Sequence, residues 1–176
     1  MKKTIYILFL IIITLYSCSS DDSGNNKFDG RGGVRCQVNG IILRSTVTYG
    51  GIITLADVKF TSENNEEYLT VELTDSGPDF IRHSVSMTII DVVPESVQEG
   101  DIYILDNEQN SNYGKYVKLS GGIFYNYSTN HEKVGRLEIL FHDLENRILA
   151  GTFEYDVVDE NGEVVEIRNG EFDMEY

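Results

Sequence analysis

The stretch that decides the fold, residues 148–176, reads ILAGTFEYDVVDENGEVVEIRNGEFDMEY. Apolar and polar residues alternate in both halves, with the period of two that is typical of half-buried β-strands. Asn161-Gly162 separates the halves. Asn-Gly between alternating runs is a strong hairpin signal, because a type I′ turn needs positive φ at both central residues. The stretch therefore predicts a hairpin in which residues 148–158 are followed by a returning strand, 164–176.

The same alternation continues upstream of this hairpin. Apolar positions recur at every second residue near residues 56–60, 69–73, 85–89, 117–123 and 137–141. Turn-forming residues separate these runs at intervals of about ten residues: Asn39-Gly40, Gly50-Gly51, Asn64-Asn65, residues 75–78, and Asn112 with Gly114. The pattern predicts an all-β domain, an antiparallel β-sandwich or flattened β-barrel of about eight to ten strands. Only residues 94–100 suit a single helical turn.

The N-terminus has the pattern of an export signal. Lys2 and Lys3 precede an apolar run, 4–15, which polar residues end from Ser17 onward. A membrane-spanning helix needs about 20 apolar residues, so this run is too short to span a bilayer. Residues 1–17 are therefore predicted to be a signal peptide that is removed.

The residues around Cys18 give this signal peptide a more specific meaning. Leu15-Tyr16-Ser17-Cys18 resembles the lipobox of bacterial lipoproteins. The resemblance implies cleavage before Cys18, which becomes the lipid-attachment residue and carries acyl chains such as palmitate. Ser19-Ser20-Asp21-Asp22 resembles the acidic export signal of surface lipoproteins of the Bacteroidota. The implied location is the outer membrane, lipid-anchored, facing the cell surface, with the periplasmic face as the alternative.

The mature chain also resembles a family as a whole. Cys36-Gln-Val-Asn-Gly40, Gly135-x-Leu-x-Ile139, Leu149-Ala-Gly-Thr-Phe153 and Asn169-Gly-x-Phe172 are similar to elements of small lipoproteins of unknown function from the Bacteroidota. That resemblance implies a fold and a location and brings no activity with it. Within the third element, Gly151 is read as a strand glycine that lets a large side chain or a neighbouring strand approach closely.

Composition defines the domains and restricts the partners. Residues 18–33, rich in Ser, Asp, Asn and Gly, are predicted to be a flexible tether, and residues 34–176 a single β-domain. The net charge of −15 becomes −17 without residues 1–17. Such a charge would repel nucleic acid, which we exclude as a partner, and anionic lipid, so that the lipid anchor must hold the protein at its membrane. The partners that remain are the membrane, through the anchor, and an envelope protein or glycan.

No catalytic motif stands out in the sequence. Neither a Gly-x-Ser-x-Gly nor a His-Glu-x-x-His motif occurs. Cys36 has no histidine near it in sequence, and a lipidated Cys18 leaves it without a disulfide partner. The three histidines are interpreted as surface residues. We therefore expect no catalytic, cofactor-binding or metal-binding residue. The histidines are His83, His131 and His142.

Two features keep other functions open. Acidic residues occupy polar strand positions, which predicts a solvated sheet face but also allows a carboxylate-based hydrolase. Acidic and amide residues also cluster in two turns. Their oxygen atoms are ligands of the kind that calcium binds, so calcium is the metal that these turns keep open. The strand acids are Glu72, Glu138, Glu154 and Glu166. The crowded turns hold Asp156, Asp159, Glu160, Asn161 and Glu163, and Asp106, Asn107 and Glu108.

Tyrosines are the other candidate contact residues. Four fall within fifteen residues, and tyrosines of this kind either fill a sheet or contact sugars and proteins. They are Tyr113, Tyr116, Tyr125 and Tyr127. The sequence thus favours a non-enzymatic β-domain lipoprotein, a binding or structural accessory module of the cell envelope. The alternatives are the hydrolase and a β-barrel that binds a small apolar ligand.

Overall fold

The computed structural model describes residues 27–45, 55–76, 81–108 and 111–176. Eleven strands account for most of these residues, and all their pairings are antiparallel. The strands are β1 (Gly33–Val38), β2 (Ile41–Arg44), β3 (Leu55–Glu63), β4 (Glu66–Ser76), β5 (Arg82–Ile90), β6 (Ile102–Leu105), β7 (Tyr113–Ser120), β8 (Ile123–Ser128), β9 (Gly135–Asp143), β10 (Ile148–Val158) and β11 (Val164–Glu175). The all-β prediction is confirmed. No helix in the described ranges has the length and apolar character needed to cross a bilayer.

The strands form one sheet in the order β2-β1-β11-β10-β8-β7-β5-β4-β3. The sheet curls into a half-barrel, so that β1 and β2 contact β3 and β4 across the interior. Side chains from most strands fill the space between them, and these positions are the apolar ones of the alternating runs. The buried core includes Val34, Leu69, Leu73, Met87, Ile89, Leu105, Leu137, Ile139, Leu149, Phe153, Tyr155, Ile167 and Phe172.

The sheet forks along β10. Residues Ile148 to Glu154 pair with β9, which carries β6 on its far side, whereas Val158 pairs with Ser128 of β8. The ring of Tyr155 fills the fork, and its hydroxyl lies 3.1 Å from the carbonyl oxygens of Ser86 and Lys115, to which it donates. The fork therefore joins β10 to β5 and β7 through one buried side chain.

Two glycines make room for Tyr155, Gly114 for its ring and Gly135 for its Cβ and backbone. A Cβ at Gly114 would lie 2.8 Å from ring carbon Cε2, and a Cβ at Gly135 would overlap the Cβ of Tyr155 and lie 2.8 Å from its Cα. Gly151 has the same role for Phe172, whose Cε1 would lie 2.7 Å from an added Cβ. The reading of Gly151 as a close-approach glycine is confirmed.

The hairpin of β10 and β11 is confirmed, but its turn differs from the prediction. Positive φ occurs at Gly162 and not at Asn161. The Asp159 carboxylate accepts hydrogen bonds from the backbone N–H groups of Asn161 and Glu163, at 2.9 and 2.7 Å, and organises a five-residue loop instead. Both positive φ values of a type I′ turn occur at Asn39-Gly40, Asn64-Asn65 and Gly121-Gly122.

Two details around β7 were predicted wrongly. The run 117–123 is interrupted by the Gly121-Gly122 turn, and Gly114 lies inside β7 instead of in a turn. Gly114 and Tyr116 face the core, whereas Val117 and Leu119 are only half-buried. The single helical turn of the prediction is a 3₁₀ turn, Pro94–Ser96.

The chain enters the domain beside the end of β11. The ring centroids of Phe28 and Phe141 are 5.7 Å apart, and the Asp173 carboxylate accepts from the backbone N–H of Gly30 at 2.8 Å. The Gly30 carbonyl in turn accepts from the N–H of Glu175 at 3.3 Å. The described part of the predicted tether thus lies against the domain. Residues 1–26, with the predicted signal peptide and Cys18, lie outside the described residues, as do Gly50-Gly51 and Gly77-Pro78.

We expect Gly135→Ala to destabilise the domain by about 3 kcal/mol or more, because backbone atoms of Glu154 and Tyr155 leave no space for the added methyl group. Gly162→Asn is the matched control, since Gly162 has open space and asparagine tolerates its φ of +85°. In urea unfolding, the control should lose less than about 1 kcal/mol of its free energy of unfolding. Similar losses in both variants would contradict the role assigned to Gly135.

Candidate functional site

The predicted strand acids lie on open surfaces of the sheet. Glu138 and Glu154 flank Arg136, whose nitrogens lie 3.5 Å from an oxygen of each carboxylate. Glu166 lies 3.9 Å from Arg168, and Glu72 is on β4. Among the described residues no Asp or Glu is buried. The four acids are therefore divided over the sheet and do not face one another across a deep cleft.

A cavity of about 400 Å³ opens at the fork of the sheet. We call it the fork cavity, and its lining is Ile104, Val134, Gly135, Arg136, Glu154, Tyr155, Asp156 and Arg168. A β-bulge shapes it, because Glu154 lies opposite both Arg168 and Asn169, and Asn169 takes a φ of +52°. Bulges of this kind redirect side chains at the edges of sites.

The bulge directs Arg168 back onto the strands. Its Nη1 donates to the carbonyl oxygens of Tyr155, at 3.1 Å, and Ile167, at 2.9 Å. Its Nη2 lies 2.5 Å from Asp156 Oδ1, a buried oxygen that has no other polar partner. Arg168 thus gives the Tyr155 carbonyl and the buried Asp156 oxygen a polar partner. The charges of the fork cavity are paired with one another, which is the arrangement of a structural ion-pair network.

The interpretation of all three histidines as surface residues was wrong. His83 is buried, and its Nδ1 lies 2.7 Å from the Tyr116 hydroxyl. His142 is half-buried, with Nδ1 3.1 Å from the Val97 carbonyl and Nε2 2.9 Å from the Tyr176 hydroxyl. His131 alone of the three is exposed. In the described ranges, no group of three or more His, Cys, Asp or Glu residues is placed to hold a metal ion.

The four candidate tyrosines are divided between core and surface. Tyr116 and Tyr127 are buried, with ring centroids 5.5 Å apart, and burial raises the pKa of Tyr116 to about 12. Tyr113 is half-buried, with Lys115 4.4 Å from its ring centroid. Tyr125 is exposed. Tyr125 therefore offers the largest exposed area of the four.

Local hydrogen bonds explain the two acidic turns. Asp159 binds backbone N–H groups of its own loop, and Asp156 pairs with Arg168. A hydrogen bond from the Ser111 hydroxyl to Asp106, 2.5 Å long, lowers the pKa of that carboxyl. The three aspartates of these turns thus have partners within their own loops and strands.

Cys36 lies in the core. Burial, with a smaller contribution from Asp75, raises the pKa of its thiol to about 12. A thiol reacts as a nucleophile in its thiolate form, so Cys36 is an unreactive core residue at neutral pH.

A surface cavity of about 490 Å³ lies beside Tyr176. We call it the Tyr176 pocket. Its lining is Lys59, Phe60, Pro94, Glu95, Leu144, Arg147 and Tyr176. The ring of Phe60 meets that of Tyr176 edge-on, with centroids 4.8 Å apart and an interplanar angle of 66°. Two aromatic rings and two cationic side chains therefore share one concave surface.

The chain positions Tyr176 firmly in this pocket. Its backbone N–H donates to the Arg147 carbonyl at 2.9 Å. The Val97 carbonyl can only accept, so in neutral His142 Nδ1 carries the hydrogen and Nε2 accepts from the Tyr176 hydroxyl. The Arg147 guanidinium lies 5.5 Å from the centroid of the Tyr176 ring. Burial raises the pKa of Tyr176, and the positive charge of Arg147 opposes that rise.

The sequence did not indicate the Tyr176 pocket. Its residues come from β3, the 3₁₀ turn, the loop between β9 and β10, and the residue after β11. No spacing rule joins positions so far apart in the chain. The one local signal was His142-Asp143, correctly placed at the end of a strand before a polar turn.

We expect Arg168→Met to destabilise the domain by about 2 kcal/mol, because the Tyr155 carbonyl and Asp156 Oδ1 would lose their partner. Arg35→Met is the matched control, since Arg35 makes an exposed ion pair with Glu171 at 2.6 Å. The free energy of unfolding of Arg35→Met, measured in urea, should fall by less than about 1 kcal/mol. Equal losses would show that Arg168 contributes no more than a surface ion pair.

No family model, curated protein or solved structure matches this chain.

Proposed function

We propose that the protein is a membrane-anchored, non-enzymatic binding module of the cell envelope, with the Tyr176 pocket as its binding site. The pocket is the observation that carries the proposal. Its volume of about 490 Å³ falls in the range of about 300–1,000 Å³ typical of small-molecule sites. Aromatic rings with polar groups at their margin are a common composition of such sites. The lipobox-like segment at Cys18 supports the anchor.

The two alternative functions have less support. A carboxylate-based hydrolase needs two acids across the bond that is cleaved, with the acid's pKa raised by its surroundings. Glu154 and Asp156 share the fork cavity, but their side chains are 56% and 26% exposed, and Asp156 is paired with Arg168. A site for a small apolar ligand needs an apolar cavity inside the half-barrel. Core side chains fill that interior. The fork cavity, the Tyr176 pocket and three smaller surface cavities of the described residues all have charged side chains in their linings.

The anchor is tested at its cysteine. We expect Cys18→Ala to move the protein from the membrane fraction to the soluble fraction and to abolish labelling by radioactive palmitate. Cys36→Ala is the matched control and should keep both location and label, because Cys36 is a core residue. Circular dichroism should show the same β-domain in wild type and Cys18→Ala. Membrane retention of Cys18→Ala would overturn the anchor.

The outward orientation is tested on intact cells. We expect added protease to digest the protein before the outer membrane is broken, because Ser19 to Asp22 resembles a surface-export signal. Replacing Asp21 and Asp22 by alanine should protect the protein while leaving it in the membrane fraction. Protection of the wild type until lysis would place the domain on the periplasmic side.

A further inference from the structure

We propose that the Tyr176 pocket binds a carboxylated sugar ring, such as a uronic acid unit of an acidic glycan. This inference rests on the proposed binding function and names the ligand class of the same site. Three properties of the lining lead to it: an aromatic and apolar wall, a cation without a carboxylate partner, and one carboxylate that can accept hydroxyl hydrogens.

The wall suits the apolar face of a sugar ring. Tyr176 and Phe60 are half-buried, so their rings are held by packing while part of each remains accessible. Leu144, 49% exposed, and Pro94 extend the wall. Aromatic side chains of this kind give a large contact area at a low entropic cost, and the C–H groups of a sugar pack against them.

Arg147 supplies the positive charge. Among the arginines that the structure describes, Arg35, Arg136 and Arg168 form ion pairs with carboxylates, whereas Arg147 has no carboxylate partner. A guanidinium binds a carboxylate through two parallel hydrogen bonds. Arg147 is therefore available for the carboxylate of a ligand.

Lys59 adds a second cation whose present partner is replaceable. Its Nζ lies 3.2 Å from Asp57, and the two side chains are 46% and 55% exposed. An ion pair with this exposure contributes little to stability. A ligand oxygen can therefore replace the Asp57 carboxylate at small cost.

Glu95 makes the pocket selective among anions. It lines the same concave surface as Arg147 and brings one negative charge. That charge disfavours dense anions such as phosphate, but its oxygens can accept hydrogen bonds from hydroxyl groups. A ring that carries both hydroxyls and a single carboxylate uses Glu95 and Arg147 together, which neither a neutral sugar nor an inorganic anion does.

The test compares two ligands that differ only in charge. Soluble Cys18→Ala protein is titrated by calorimetry with trigalacturonic acid and with its methyl ester, which keeps the rings and removes the carboxylates. We expect the acid to bind about tenfold more tightly or better, as a charge-assisted hydrogen bond predicts. Equal affinities would overturn the inference, and so would binding of neither ligand. The membrane anchor stands or falls separately, by fractionation of Cys18→Ala.

A variant of Arg147 tests whether the preference for the acid over the ester arises in the Tyr176 pocket. Arg147→Asn removes the guanidinium and suits the φ of +57° at this position, so the fold should be kept. We expect it to lose the preference for the acid while still binding the ester. Lys115→Gln is the matched control, because Lys115 also lies over a tyrosine ring, that of Tyr113, outside the pocket. A preference that survives in Arg147→Asn would overturn the assignment.

Discussion

The burial of one tyrosine holds the two branches of the sheet together. At Tyr155 the strand β10 leaves β9 and joins β8, and such a change of partner exposes backbone groups and opens a gap. The Tyr155 ring fills the gap, and its hydroxyl donates to the carbonyls of Ser86 and Lys115. Arg168 donates to the backbone carbonyl of Tyr155. Gly114 leaves space for the Tyr155 ring, and Gly135 leaves space for the Tyr155 Cβ and the backbone beside it. Between β10 and β8 the sheet has one residue pair, Val158 with Ser128, so the packing of Tyr155 adds contact where this strand pairing is short.

Core side chains fill the interior of the half-barrel, and the fork cavity and the Tyr176 pocket lie on its surface. The two main cavities are alike in size but differ in how their charges are arranged. In the fork cavity Arg136 and Arg168 are neutralised by neighbouring acids, so a ligand would have to break existing pairs. In the Tyr176 pocket the Arg147 guanidinium contacts an aromatic ring instead of a carboxylate. The two cavities therefore differ in whether their arginines are paired with carboxylates, and not in volume. The paired arginines of the fork cavity stabilise the fold, whereas the Tyr176 pocket is the one suited to binding.

The sequence predicted what depends on neighbouring residues and missed what depends on distant ones. Alternation identified β10 and β11, because a strand with one buried face repeats every two residues. The same rule chose the wrong face in β7, where the burial of Gly114 and Tyr116 depends on packing against Tyr155 and His83. The Asn-Gly signal placed the last hairpin correctly, but the carboxylate of Asp159 decided its turn type. The Tyr176 pocket combines four separate segments, and only the folded chain brings them together.

Residues Phe28 to Gly30 dock on the end of β11, which shortens the free chain between the domain and the proposed anchor at Cys18. A flexible chain of n residues spans about 5–6 Å × √n. If the chain is anchored at Cys18 as proposed, sixteen coil residues after the lipid would span about 22 Å, whereas a coil of ten residues would span about 17 Å. The volume that an anchored domain can sample falls to about half, and its effective concentration toward ligands on the same membrane about doubles. On the proposed anchor at Cys18, this shorter connection would favour ligands attached to the same membrane over large polymers in solution.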